Sequence, residues 1–303
     1  MTRSNGRLGH MRSGFGCLVG RPNTGKTTLT NALVGRKIGI ISDRPQTTRH
    51  AIRGIVHRPD AQLVVVDTPG LHKPRTVLGQ RLNGIVRTTL AGVDIVVWCV
   101  PANEKMGPGD RFIARELRQL RGSSLIVAVT KTDLAKSDQV AQQLVAASTE
   151  IDAAHYVPLS AKSGAGVDTL LDLMMESLPT GPALYPDGTL TDEPEKVIVA
   201  ELIREAALAG LEQELPHSLA VTVEEMTPRE NSDLVDIQAV LYVERASQKP
   251  ILLGRRGERI KSIGTRARVQ IEALLGNRIY LDLHVKVLGD WQDDPKKLRR
   301  LGF

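Results

Sequence analysis

Eight residues near the start of the chain, Gly20-Arg21-Pro22-Asn23-Thr24-Gly25-Lys26-Thr27, constrain its fold more than any other feature. They lie between an apolar run at residues 15–19 and a helical pattern at 26–34. The spacing G-x-x-x-x-G-K-[ST] belongs to a loop that leaves a strand, enters a helix and wraps its backbone N–H groups around phosphate. Glycine lets the backbone turn that tightly, and the positive end of the helix adds attraction. In such a loop Lys26 reaches the β- and γ-phosphates and Thr27 holds Mg²⁺. Gly20, Asn23, Thr24, Gly25 and Thr28 complete the phosphate-binding set.

The surrounding pattern agrees. Apolar runs at 51–56, 63–66, 95–100, 125–129 and 156–158 alternate with helical patterns at 78–90, 111–120, 140–150 and 167–178. That alternation predicts an α/β domain with a mostly parallel sheet covered on both faces. Ligand then sits at the carboxyl ends of the strands. A length of 303 residues suits two domains. The helical pattern stops at Leu178-Pro179, and a Pro/Gly-rich stretch follows. The expected division is a flexible basic tail at 1–12, a first domain at 13–180, a linker at 181–193 and a second domain at 194–303. The second domain opens with a helix from Pro194 to about Leu211. Strands follow at 219–223 and 235–243, then a basic helical region and a last strand at 280–287.

Three further motifs follow strand ends. Asp67-Thr68-Pro69-Gly70 comes after 63–66, where an Asp joins the Mg²⁺ shell and the Gly70 N–H meets the γ-phosphate. Thr130-Lys131-Thr132-Asp133 comes after 125–129. Asp133 accepts hydrogen bonds from guanine N1–H and the exocyclic amine, a pair adenine does not offer, and Lys131 lies along the base. Ser160-Ala161-Lys162 follows the next strand, where its backbone meets guanine O6. The ligand expected is GTP.

A net charge of +6 and a pI near 9.4 favour an anionic partner, with RNA and an acidic membrane surface both fitting. The second domain is roughly neutral as a whole, but its basic residues are concentrated in one stretch. Arg255, Arg256, Arg259, Lys261, Arg266 and Arg268 accompany a single acid, Glu258, between residues 254 and 268. There Gly254-Arg255-Arg256-Gly257 matches the G-x-x-G loop of a KH domain, which clamps about four single-stranded nucleotides. Arg255 and Arg256 aim charge at phosphate, and Ile251, Leu252, Leu253 and Ile260 supply an apolar floor. Only 3% of residues are aromatic, which argues against a base-stacking platform. The competing class is a membrane-peripheral or scaffolding protein using the helix-spaced Ile260, Ile263, Val269 and Leu274.

Cys17 and Cys99 sit in apolar runs and are expected as reduced core residues. No run is long enough for a membrane-spanning helix. His57, His155, His217 and Trp291 attract no functional role, and Lys296, Lys297, Arg299 and Arg300 read as a solvated tail in preference to a contact with RNA phosphate.

These elements occur in the order found in translation-factor-class GTPases. From about Ser13 to Phe303 the chain resembles the Era family, a P-loop GTPase joined to an α+β type II KH domain. Pro45-Gln46-Thr47-Thr48-Arg49-His50 is similar to that family's switch I. The resemblance implies that Thr48, in preference to Thr47, joins Thr27 and Asp67 on Mg²⁺, and that Lys26, Thr48 and Gly70 carry the hydrolysis. It implies an RNA site of Ile251, Gly254, Arg255, Arg256, Gly257, Arg259, Ile260 and Lys261. The implied partners are single-stranded RNA near the 3′ end of 16S rRNA and the small ribosomal subunit. The implied protein is a cytoplasmic monomer, with peripheral contact at the inner membrane face as an alternative. Asn23 resembles a P-loop Asn that helps hold K⁺ in some relatives. Two positions depart from the common pattern. Thr130 stands where the base motif usually has Asn, and Leu71 stands where Ras-like enzymes orient water with Gln, so intrinsic hydrolysis is expected to be slow.

Overall fold

The near-continuous apolar runs of the first half become strands buried on both faces. β1 (Arg12–Val19), β2 (Ile52–Arg58), β3 (Ala61–Asp67), β4 (Ile95–Pro101), β5 (Ser124–Thr130) and β6 (His155–Pro158) form one sheet in the order β2-β3-β1-β4-β5-β6. Only β2 runs antiparallel to its neighbour. The two-residue repeat of a strand divides the side chains between two cores. Leu18, Val97, Cys99 and Ile126 face one, with helices α1 (Lys26–Val34) and α5 (Val167–Glu176). Cys17, Val96, Trp98 and Val127 face the other, with α2 (Val77–Leu90), α3 (Pro108–Leu117) and α4 (Ser137–Glu150). The two cysteines thus lie on opposite sides of the sheet, both free, and burial pushes each thiol up to about 12. Helix α3 starts earlier than its apolar pattern because Pro108 suits the first turn and the Asp110 carboxylate accepts the Gly107 N–H at 2.9 Å.

The computed structural model describes residues 11–42, 44, 47–209, 211, 215 and 217–303. Arg3, Arg7 and His10 of the expected tail, and Pro45 and Gln46, lie outside the described residues. Arg12, grouped with the tail from sequence, is the first residue of β1, and its guanidinium donates to the Leu178 carbonyl at 3.2 Å.

The chain divides into two compact units. The first holds the residues up to Gly39, His50–His72 and Asn83–Asp192, and the second holds Ile40–Arg49, Lys73–Leu82 and Glu193–Phe303. The Pro/Gly-rich stretch after Pro179 belongs to the first unit. The fully buried Gln62 accepts from the Leu184 and Tyr185 N–H groups at 2.6 and 2.9 Å and donates to the Tyr185 carbonyl at 2.8 Å. Further along, Ile55 N–H donates to Leu190 at 2.9 Å, and Arg53 pairs with Asp192 at 2.9 Å.

In the second unit, α6 (Glu195–Leu208) precedes β7 (Ala220–Pro228) and β8 (Leu234–Val243). Then come α7 (Lys249–Leu253), α8 (Glu258–Leu275), β9 (Arg278–Val287) and α9 (Pro295–Arg300). The sheet order is β7-β8-β9, antiparallel and then parallel. One face of β8 (Val235, Ile237, Ala239, Leu241, Val243) packs with Ile203 of α6 and Ile263, Ala267 and Ile271 of α8. The basic C-terminal residues form an ordered helix. Asp294 caps it by accepting from Lys296 and Lys297 N–H at 2.8 and 3.3 Å, and Leu298 is buried.

Candidate nucleotide site and nucleic-acid groove

The phosphate loop is shaped by its own backbone. Asn23 and Gly25 adopt φ of 63° and 90°, and α1 then begins at Lys26 with no side-chain cap and no acid in its first turn. Its first N–H groups are therefore presented to an anion. A Cβ on Gly20 would lie 2.7 Å from the Cys99 carbonyl oxygen, so that position tolerates only glycine. Lys26 is buried and donates to the carbonyls of Gly20 and Arg21 at 3.2 and 2.7 Å. Burial lowers its pKa, against the favourable charge of Asp67. Thr28 is half-buried on the same helix turn.

Asp67, at the end of β3, is fully buried and accepts the Thr27 hydroxyl at 2.6 Å. A hydroxyl and a carboxylate side by side are hard oxygen donors, a set that suits Mg²⁺ and a phosphate oxygen. Gly70 packs against the loop so closely that a Cβ would sit 2.5 Å from Pro22 N, and Leu71 N–H donates to Gly20 at 3.1 Å. Thr48 is buried within the second unit's Ile40–Arg49 segment.

The base motif is tied to the phosphate loop. Thr130, 2% exposed, donates its hydroxyl to the Thr24 carbonyl at 2.7 Å. The unusual Thr at this position therefore has a structural task that a short hydroxyl performs. Lys131 turns the chain with φ of 58°. The exposed Asp133 accepts the hydroxyl of the buried Ser160 at 2.6 Å, which brings the Thr130–Asp133 and Ser160–Lys162 motifs together. Ala161 is half-buried and Lys162 exposed beside them.

Sequence reasoning missed a support on the other side of the loop. Arg21 pairs with the fully buried Asp110 at 2.8 Å and with Glu104 at 3.0 Å. A Cβ on Gly109 would meet the Arg21 side chain at 2.7 Å. Each residue is unremarkable in sequence, and only the fold brings Asp110 to Arg21.

In the second unit, Gly254 and Gly257 end and restart the helices with φ of 73° and 79°, and Arg256 between them has φ of 50°. Arg255 and Arg256 are exposed. A cavity of about 380 Å³ opens between α8 and β9. Ile260, Lys261, Gly264, Thr265 and Arg268 line it from the helix, and Ile279, Tyr280, Leu281 and Leu283 from the strand. Of the expected RNA residues, Ile260 and Lys261 line this cavity. Ile251 is exposed, and Arg259 is half-buried. Leu252 and Leu253 belong to the core instead of a floor, and Arg266 is turned to the Ala206 carbonyl at 2.9 Å. Tyr280 and Thr265 were not anticipated, and Arg268 was read only as part of the basic stretch, since the packing of α8 on β9 decides what faces the groove. Ile263 lies in the core, Ile260 and Leu274 pack against it, and Val269 alone of the four helix-spaced apolar residues is largely exposed. No apolar membrane face remains on α8.

A strand-to-helix phosphate loop, a Thr27–Asp67 pair of oxygen donors, an Asp133 tied to Ser160 and a G-x-x-G helical pair define a P-loop GTPase carrying a KH domain. Residues 16–131 match the family described as 50S ribosome-binding GTPase, and residues 214–292 match the KH domain. GTPase Era of Streptomyces coelicolor is 62% identical over 301 residues, covering 96% of this chain and 95% of that protein. GTPase Era of Mycobacterium avium is 61% identical over 295 residues, covering 96% and 99%. The solved structure of Era with MgGDPNP and nucleotides 1506–1542 of 16S ribosomal RNA matches with a TM-score of 0.92 at 35% identity, covering 97% of this chain and 99% of that one. A variant of Aquifex aeolicus Era bound to GDP and AlF4⁻ matches with a TM-score of 0.93 at 34% identity, covering 96% and 99%. The chain belongs to the Era family of GTPases, and its reaction is hydrolysis of GTP.

Proposed function

We propose that this GTPase binds single-stranded RNA from the 3′ region of 16S rRNA in the α8–β9 groove, under control of the nucleotide, during assembly of the small ribosomal subunit. The carrying observation is the groove itself, lined by apolar residues with Lys261 and Arg268, while the exposed Arg255 and Arg256 stand in the loop that leads into α8. That chemistry suits bases below and phosphates above. A relative in this family has been solved with such an RNA fragment.

Gly20, Asn23, Thr24, Gly25, Lys26, Thr27 and Thr28 hold the phosphates, and Thr130, Lys131, Asp133, Ser160, Ala161 and Lys162 hold guanine. Mg²⁺, when bound by Thr27, Asp67 and Thr48, offsets charge on the phosphate oxygens. The Lys26 ammonium exchanges its two carbonyl partners for phosphate. Gly70 N–H meets the γ-phosphate, and with Leu71 buried against the core no side chain at that position orients water. Hydrolysis is slow for that reason, and K⁺ at Asn23 raises it. Exchanging K⁺ for Na⁺ then slows the wild type and leaves Asn23→Ala unchanged.

The test is fluorescence anisotropy of a 3′ small-subunit rRNA oligonucleotide with GDP and with a non-hydrolysable GTP analogue. Single-stranded RNA binds tighter than a duplex of the same sequence, affinity depends on the nucleotide, and Arg255→Glu/Arg256→Glu weakens binding at least tenfold. Equal binding by the variant would leave the groove without an RNA role.

A further inference from the structure

One buried charge has no part in nucleotide chemistry. Arg49 follows Thr48 directly and is 1% exposed. Its guanidinium donates to the carbonyls of Leu219 at 2.6 Å and His217 at 2.8 Å. It also lies 5.5 Å from the Trp291 ring and 5.9 Å from the Phe303 ring, which stack on each other at 5.6 Å. Trp291 is fully buried and donates its indole N–H to Ser218 at 3.1 Å. Burial, then the neighbouring charge of Arg204, brings the Arg49 guanidinium down to about 9. Arg204, itself 2% exposed, pairs with Glu201 and donates to the Thr47 carbonyl. Thr48 is thus flanked by Thr47, whose carbonyl Arg204 holds, and by Arg49, anchored through its own side chain.

The same C-terminal residues hold a second segment. Leu78 N–H donates to the Gln292 carbonyl at 2.9 Å, Val77 N–H to Asp293 at 3.0 Å, and Arg81 to the Phe303 carbonyl oxygen at 2.6 Å. Residues 73–82 follow Gly70 along the chain as Arg49 follows Thr48. Trp291 in turn comes four positions after β9, the strand whose Tyr280, Leu281 and Leu283 wall the groove. The residues gripped by Arg49 on its other side, His217 and Leu219, lead into β7 of the same sheet.

We infer that Arg49 is a positioning residue for Thr48, and that its seat against the stacked Trp291 and Phe303 carries the nucleotide state to the α8–β9 groove. A planar guanidinium held by two carbonyls and two rings accepts one geometry, so a shift of Thr48 must be met by the loops that flank the sheet. The inference rests on the nucleotide-dependent RNA binding proposed above.

The experiment compares RNA affinity in the GDP and GTP-analogue states for full-length wild type, Arg49→Lys, Arg49→Gln and Phe303→Leu, with a melting curve for each. The wild-type ratio is expected within the usual coupling range of about 5- to 150-fold. Arg49→Gln and Phe303→Leu bring the ratio close to one while RNA still binds in both states. Arg49→Lys, which keeps charge but loses the planar fork, also lowers it. Phe303→Leu is the milder change and keeps the test open if Arg49→Gln fails to fold. Variants that melt lower yet keep the wild-type ratio overturn the inference alone, since the seat is then packing only. A wild-type ratio of one overturns the proposed nucleotide control together with it.

Discussion

The two glycines of the G-x-x-G loop serve different physical ends, and alanine at each separates them. Gly254 has φ of 73° and ψ of 177°, a region reserved for glycine, and its Cβ would lie 2.9 Å from Arg259 N. The backbone conformation alone costs about 1–3 kcal/mol for another residue, and the overlap adds to it. Gly257 has φ of 79° and ψ of 11°, a left-handed conformation costing about 1–2 kcal/mol for alanine. Its Cβ would enter open space, with Ile260 the nearest group at 3.9 Å. In the proposed clamp that space takes the phosphate backbone, so a methyl there displaces it. Losing one hydrogen bond to a charged phosphate is worth about 1.5–3 kcal/mol, roughly 10- to 150-fold in affinity. Urea unfolding and anisotropy with the rRNA oligonucleotide read the two effects apart. Gly254→Ala is expected to lose more stability than Gly257→Ala. Gly257→Ala is expected to lose about 1–2 kcal/mol of stability and at least tenfold in RNA affinity. Wild-type RNA affinity in Gly257→Ala would show that the glycine serves the turn alone, and the clamp reasoning would fail.

Thr130→Val removes the hydroxyl that meets the Thr24 carbonyl and leaves a buried acceptor unmet, worth about 1–3 kcal/mol. GDP affinity is expected to fall by up to about 150-fold, with Thr130→Ser near wild type; a titration with fluorescent GDP decides, and unaltered binding by the valine variant refutes the tie. Asp110→Asn breaks the charged support under Arg21, so GDP should dissociate about tenfold faster in a stopped-flow chase, a loss of about 1.4 kcal/mol. The buried thiols should resist a disulfide reagent at pH 8 when folded and react in urea. Their raised pKa values mean the fold retains protons that the unfolded chain loses above about 9. Each thiol's contribution is complete below that pH and lost toward about 12, at about 1.4 kcal/mol per pH unit. Cys99→Ala should therefore flatten the alkaline loss of stability relative to wild type, and equal slopes would contradict the burial argument.

Local and periodic information reached the sequence directly. The phosphate loop, Asp67, Asp133 and Ser160 occupy strand ends, and a strand end can be read from where an apolar run stops. The parallel sheet followed from strand–helix alternation, because both faces of such a sheet must be apolar. The G-x-x-G turn was legible because glycine marks positive φ.

Distant pairings were not legible. Arg21 and Asp110 lie 89 positions apart, and Arg49 and Leu219 lie 170 apart. A charged residue in sequence carries no sign of whether it will be buried, so Arg49 reads only as a member of the switch I segment and Trp291 as a residue without a role. The stretch beginning at Gly181 read as a linker from its composition, since Pro and Gly report backbone freedom and say nothing of a partner such as Gln62. The groove lining needed the register of β9 against α8. The sequence by itself determined the chemistry at the ends of elements, where a motif and its backbone are neighbours along the chain. Tertiary structure alone decided which buried charges support those motifs, because burial and pairing depend on what the rest of the chain brings beside them.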